Sequence, residues 1–558
     1  MPEITKTITP QPVPRYVWNI LTALTVFVYF FGLTLPFLGP DEARYAQVGR
    51  EMFERGDWIT PTLGGFNWFE KPALLYWLEI AAYKFFGINE FAARFGPALF
   101  GLGTVVSLWI LGGSLATENT EKPTYPGENS QPISKVSVNS VANNFANWLA
   151  LIAASTLGIL VFSRGASFDI IITFPLTAAL VSFYIYDSHV QPPAAAGGSD
   201  PFPASPRPRV PASLLLFYIF IGISLLAKGL IGIVFPFAIV GFYYVLSRRL
   251  PGRAFVFSLI WGTLLAVGIA AIWYLPIYQR HGYEFINEFF IQHHFQRFTS
   301  NKFQHPQPFY FFFWILPLMT LPWLPFFFAA IWKLIRGIFQ RRDEETRREI
   351  QIESGTPRPG VPASPRLPFS LSPLLLFSLS WLIVPLAFFS ISGSKLPGYI
   401  LPAVPAAIIL TAAFVFELVR SSNKWRNGVL FIAAGTLVTM ILLLISAVPR
   451  FAETDSVKSL IQTANERGYK DNRVLMMHTI SHNAEFYAAG RLVRDESGKQ
   501  RRLYTVDEIL AEIAADNRRS AVVLIPLEYL TQLKHDERIK TEVLKDNGEL
   551  AVVIVSAK

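Results

Sequence analysis

The chain has 558 residues, of which 52% are hydrophobic, 15% aromatic and only 16% charged, with a net charge of +9 and no cysteine. A soluble domain carries about 25% charged residues, so a water-soluble globule is excluded, and the missing thiols exclude disulfide scaffolds and cysteine nucleophiles. The basic excess is that of a polytopic membrane protein, whose Lys and Arg gather on the cytoplasmic side, and no nucleic-acid partner is expected.

A membrane span needs about 20 mostly apolar residues. Such runs occur near 17–38, 92–115, 146–165, 168–187, 212–228, 229–247, 254–276, 309–335, 373–391, 399–418 and 427–447. They predict an α-helical membrane protein with about 11–13 transmembrane helices. The first run exceeds the usual signal-peptide core and lacks a small-x-small cleavage site, so an uncleaved anchor is expected.

Loop charge orients the chain. Arg248, Arg249 and Arg253 share one loop, Lys333, Arg336, Arg341, Arg342, Arg347 and Arg348 open another, and Arg420, Lys424 and Arg426 fill a third. Eleven spans with a cytoplasmic N-terminus put all three inside, as the positive-inside rule requires. The same parity places 39–91, 277–308, 392–398 and the tail from about 450 on the periplasmic face of a bacterial-type inner membrane.

Polar stretches at 116–145, 188–211 and 336–372 interrupt the pattern; the last two are Pro-rich and both contain Pro-Ala-Ser-Pro-Arg. They are expected to be disordered cytoplasmic inserts. Residues 1–449 therefore read as one transmembrane domain. Residues 450–558 alternate helical periodicity at 455–467 and 506–516 with β-rich runs at Val474–Met477 and Ala521–Ile525, which suggests a small α/β domain. Asp471, Asp495 and Asp507 in it fit caps and turns.

No G-x-x-x-x-G-K-[ST] loop and no G-x-G-x-x-G are present, which argues against nucleotide chemistry. Charge concentrates instead in the first outside loop, with six basic and eight acidic residues between Asp41 and Arg94. Two readings fit that loop. An Asp can take a proton from a hydroxyl and a Lys or Arg can hold a phosphate, which suits an amphiphilic anionic ligand; equally, an interfacial helix turns its charges to water.

Within the loop, Asp41-Glu42-x-Arg44-Tyr45-Ala46, Gly56-Asp57-Trp58 with Pro61, and Glu70-Lys71-Pro72 with Tyr76-Trp77 resemble the first periplasmic loop of GT-C membrane glycosyltransferases. The likeness is to the lipid A aminoarabinose transferase and protein O-mannosyltransferase family. It continues through Arg164 with Asp169, Lys228-Gly229, His294-x-x-Arg297-Phe298, His305-x-x-Pro308-x-Tyr310, Pro322-Trp323 and Ser394-Lys395-x-Pro397-x-Tyr399. The resemblance implies a glycosyltransferase that moves a sugar from a polyprenyl-phosphate donor to a lipid, glycan or protein acceptor at the periplasmic face. It assigns Asp41 the role of base, with Glu42 and Asp169 beside it in the catalytic set. Lys71, Arg297, Arg44, Arg164 and Tyr45 would bind the donor and its phosphate. Glu70, His294, His305, Tyr310, Lys395 and Tyr399 would line the acceptor side, and the family likeness permits a divalent metal near Glu70 and His294. Each residue also has a structural use: Asp41 and Asp169 as helix caps, Glu42 as a first-turn acid, Lys71 paired with Glu70. Trp58, Trp68, Trp77 and Trp323 fit an interfacial aromatic belt. The rival function is a transporter or flippase for a lipid-linked sugar, which would place its ionisable groups near the bilayer midplane.

Overall fold

The computed structural model describes residues 12–115, 135–190, 212–296, 307–337, 373–516 and 518–558. Each apolar run read from the sequence is largely helical in it, although the first is helical only as far as Phe30. By length and composition, six helices among the described residues can cross a membrane. They are Glu90–Ser114, Phe168–His189, Arg253–His293, Pro373–Ser390, Pro397–Ser421 and Asn423–Ile445. The bent pair Phe311–Met319 and Leu324–Gly337, meeting at 116°, makes a seventh if counted as one span, and three shorter apolar helices accompany them.

In chain order, α1 is Arg15–Phe30, α2 Asp41–Arg55, α3 Leu74–Phe86, α4 Glu90–Ser114, α5 Lys135–Ser155 and α6 Leu157–Phe162. Then come α7 (Phe168–Val190), α8 (Ala212–Lys228), α9 (Ile231–Leu246) and α10 (Arg253–Phe285). The first insert is shorter than expected, because α5 already begins at Lys135. Residues 116–134, 191–211 and 338–372 of the three inserts lie outside the described residues.

The first loop is structured throughout. Gly56, at φ 66°, caps α2 by donating its amide to the Met52 and Phe53 carbonyls, a left-handed ending natural to glycine. A two-stranded ribbon follows, β1 (Thr62–Leu63) antiparallel to β2 (Phe66–Asn67). Glu51 pins the ribbon from below, accepting from Thr62 Oγ1 at 2.7 Å and from the Gly64 amide at 2.6 Å. Asp57 accepts from the Ile59 amide and from Arg280 of α10, both at 2.9 Å, tying the loop to that helix.

The C-terminal domain holds the strands β3 (Val474–Met477), β4 (Arg502–Leu503), β5 (Ser520–Pro526), β6 (Ile539–Asp546) and β7 (Leu550–Ala557), in sheet order β4-β3-β5-β7-β6. Strand β3 runs parallel to β4 and β5, while β7 is antiparallel to β5 and β6. Alternation along the central strands feeds both faces. Leu475, Val523 and Val553 pack on Ile509 and Ile513, whereas Met476, Leu524 and Val552 pack on Leu460 and Ile461. Both faces are covered by helices, so these strands read as continuous apolar runs.

This domain sits on the first loop. Phe486 is buried with Phe37, Ala43, Ala46 and Tyr83, and its ring meets Phe37 edge-on at 4.9 Å. Tyr487 Oη accepts from the Phe37 amide at 2.9 Å and donates to Glu90 at 3.0 Å, and Lys458 pairs with Glu90 at 2.6 Å. Loop and domain therefore lie together at one end of the helical bundle.

Candidate active site

Two cavities meet beneath the first loop. The larger, about 640 Å³, is the more polar of the two; its walls include Asp41, Arg44, Tyr45, Trp68, Glu70, Lys71, Asp169, Glu288 and Tyr399. The smaller, about 280 Å³, is an apolar slot walled by Leu230, Ile231, Val234, Phe295, Phe388 and Phe389. Glu70, Lys71, Lys228, His293 and Tyr399 line both. Cations thus stand at the junction between a greasy groove and a polar chamber.

Asp41 opens α2 directly after Pro40, with its side chain 48% exposed, and Arg44 pairs with it one turn on. Burial lowers the basicity of Arg44, but the Glu70 and Asp41 carboxylates outweigh it and hold the guanidinium above its usual range. Arg44 also lies over the Trp68 ring at 5.9 Å. Tyr45 is buried edge-on against Phe168 at 4.9 Å. Lys71 Nζ donates to Glu70 at 2.9 Å, both side chains largely enclosed.

Asp169 and Lys228 form an ion pair across the cavity floor. Lys228 ends α8, and its ammonium stands 5.0 Å from the centre of the Tyr399 ring. Gly398 is required here, since a Cβ at that position would overlap the Asp169 carboxylate. The sequence reading gave Lys228 no role. Its signal was present: a lone Lys closing an otherwise apolar run is costly in a membrane unless it is used.

Several expected site residues turn out to be structural. Glu42 points away from both cavities. It accepts from Arg94 at 2.7 and 3.0 Å, from the Leu38 amide at 3.1 Å and from the Ala166 amide at 2.9 Å. With four donors on one carboxylate, it is a joint between the loop, α4 and the turn before α7. Arg164 does not reach Asp169; its guanidinium donates to the Val28 and Phe31 carbonyls at the end of α1. Lys395 donates to the carbonyls of Gln307 at 3.0 Å and Ser392 at 2.6 Å, and so holds a turn. Tyr310 is half-exposed at the start of helix Phe311–Met319, outside both cavities. Arg297 and His305 lie outside the described residues, as does the side chain of His294.

The belt expectation also divides. Trp68 is a cavity wall and Trp323 is buried, its indole donating to Ser155 Oγ at 3.2 Å, while Trp58 remains exposed. Among the described residues no group of three or more His, Asp or Glu could hold a metal ion, and Glu70 is committed to Lys71.

Residues 20–118 match the family model of dolichyl-phosphate-mannose-protein mannosyltransferase. Over 442 residues the chain is 28% identical to an undecaprenyl phosphate-alpha-4-amino-4-deoxy-L-arabinose arabinosyl transferase of Aeromonas hydrophila, covering 77% of this chain and 66% of that protein. It is 30% identical over 411 residues to the Serratia proteamaculans protein of the same name, covering 72% and 60%. The chain thus spans less than two thirds of the length of these curated relatives. Among solved structures, ArnT from Cupriavidus metallidurans bound to undecaprenyl phosphate superposes with a TM-score of 0.69 at 21% identity, over 97% of this chain and 98% of that one. The chain has the GT-C glycosyltransferase fold. The resemblance carried by its loop motifs, to the aminoarabinose transferase and protein O-mannosyltransferase family, is shown by these matches. In this GT-C fold Asp41 and the Glu70-Lys71 pair, about thirty residues apart in sequence, line the same cavity.

Proposed function

We propose that this protein transfers a sugar from a polyprenyl-phosphate donor to an acceptor at the periplasmic face of the membrane. The observation that carries the reading is the shared rim of the two cavities. A ligand with a long apolar tail, a phosphate and a sugar needs a greasy slot, cations at its mouth and a polar chamber beyond, in that order. Leu230, Val234, Phe388 and Phe389 supply the slot, Lys71 and Lys228 the cations, and the Asp41–Arg44 wall the chamber. The relatives' names point to undecaprenyl phosphate-linked aminoarabinose as the first donor to try.

Asp41 then acts as general base, taking the proton from the acceptor O–H as its oxygen attacks the anomeric carbon. The bond from that carbon to the phosphate oxygen breaks, and polyprenyl phosphate departs carrying the electron pair. Lys71 and Lys228 stabilise the charge that gathers on the leaving phosphate, with little reorganisation because Glu70 and Asp169 already hold them in place. The first loop and the C-terminal domain pack together and so share one face of the membrane, and loop charge favours the periplasmic face for both, with a cytoplasmic N-terminus.

The test is undecaprenyl-phosphate binding and sugar transfer by purified protein in lipid. Lys71→Ala and Lys228→Ala should each lose about 1.5–3 kcal/mol of phosphate affinity, the range for a charge-assisted hydrogen bond. Unchanged affinity in both variants would refute the assignment of the cations.

A further inference from the structure

The polar cavity has one wall that the membrane part does not provide. His482, Ser497, Gly498 and Lys499 of the C-terminal domain line it together with Asp41 and Arg44. That wall is built rather than casual. Asp495 Oδ1 accepts from the amides of Ser497 at 2.9 Å and Lys499 at 3.0 Å and from Ser497 Oγ at 2.7 Å, closing the turn. Arg494 donates to the Gly498 carbonyl at 2.9 Å and pairs with Glu485, which also accepts from Gln500 at 2.7 Å.

The turn interlocks with the β1–β2 ribbon through two glycines. A Cβ at Gly498 (φ +79°) would stand 2.6 Å from Phe66 Cγ, and one at Gly64 (φ +63°) would overlap the Arg494 side chain. Both conformations are left-handed, open to glycine at no steric cost. Each glycine makes room for a side chain of the other segment. The turn is therefore seated against the ribbon that forms the opposite part of the same wall.

Charge then singles out Lys499. The other cavity cations face carboxylates: Arg44 has Asp41, Lys71 has Glu70 and Lys228 has Asp169. Lys499 is exposed and its ammonium makes no ion pair among the described residues; Asp495 attracts it electrostatically, but Oδ1 of that carboxylate already accepts three bonds from the turn. Burial and then Arg44 hold the His482 imidazole below its usual range, so it favours the neutral form. The apolar slot, where the donor tail would lie, has no wall from the C-terminal domain.

We infer that Lys499 binds an anionic group on the acceptor, so that the C-terminal domain is the acceptor-recognising wall of the site; this rests on the transferase reading above. The donor phosphate is served by Lys71 and Lys228, which line both cavities, whereas Lys499 lines the chamber but not the slot, on the wall left for the second substrate.

The experiment measures binding of two probes to the full chain in lipid nanodiscs: lipid A carrying its phosphates, and the same lipid with the phosphates removed. Lys499→Glu should raise Kd for the phosphorylated lipid about tenfold, the loss of roughly one charge-assisted contact. Lys499→Arg should restore it, and the Kd for undecaprenyl phosphate should stay at the wild-type value. An unchanged Kd for phosphorylated lipid A in Lys499→Glu overturns the inference, and so does an equal loss for the dephosphorylated lipid. Failure of the transferase reading shows separately, as absence of sugar transfer by the wild type from an undecaprenyl-phosphate donor.

Discussion

Two adjacent carboxylates, Asp41 and Glu42, should respond in opposite ways to losing their charge. Glu42 accepts four hydrogen bonds, two of them from Arg94, whose side chain is only 5% exposed. In Glu42→Gln one oxygen becomes a donor that faces donors, and the buried Arg94 cation loses the carboxylate it hydrogen-bonds, leaving only the more weakly felt Glu90. Breaking a buried pair by removing one partner costs about 3–5 kcal/mol, a large part of a typical stability of about 5–15 kcal/mol. Asp41 is half-exposed and its one ion pair among the described residues is with Arg44, an arrangement worth about 0–1 kcal/mol; the N-cap of α2 is Pro40 and no side chain caps it, so the expected capping role of Asp41 is not found and there is no cap to lose. Asp41→Asn should therefore melt close to wild type yet lose about 10²–10⁴-fold in turnover. Thermal unfolding in detergent and sugar transfer in lipid, measured on both variants, separate the roles. A Glu42→Gln protein that melts normally but does not turn over would make Glu42 part of the chemistry. Wild-type turnover in Asp41→Asn would remove Asp41 as the base.

Other outcomes follow from the same contacts. Gly64→Ala must displace the Arg494 side chain from its pair with Glu485 and should cost about 1–3 kcal/mol as an overpacked, strained site; an unchanged melting temperature would mean the ribbon and the C-terminal turn are not interlocked. Asp57 is held below the usual carboxylate range: burial alone would raise it, but the Ile59 amide, Arg280 and the Thr60 amide prevail. Its contribution is thus present above the unfolded carboxylate value and is lost as pH falls through the lower folded one. Asp57→Asn should flatten the acid end of the stability profile below about pH 4, and a profile identical to wild type would show that the clamp on α10 carries no stability.

How much of this was legible beforehand differs by element. The helices of the membrane part were readable because a bilayer demands long apolar runs, and a run is a local property. The strands β3 and β5 were readable for a similar reason. The hairpin of β6 and β7 was not taken up, although Asn547-Gly548 between Asp546 and Leu550 is the strongest short turn signal a sequence offers; the polar, exposed β6 masked it. Among the residues singled out from the sequence, Asp41, Arg44, Tyr45, Glu70, Lys71, Asp169 and Tyr399 line the larger cavity.

What composition and order alone determined is the class of protein, the run of its helices and a charged first loop that folds rather than merely connects. Which cation meets which carboxylate was decided only by packing. Asp169 finds Lys228, 59 residues away, and Glu42 finds Arg94, 52 residues away, because helix crossings bring them together; no spacing rule in a linear chain distinguishes Arg164 from Lys228 as the partner. The C-terminal wall has the same origin. Its seat depends on Gly64 and Gly498, more than 400 positions apart, each leaving a gap that the other segment's side chain fills. Burial makes such pairings strong, since a charge in a dry site must be matched where it stands, and the place where it stands is a property of the folded chain.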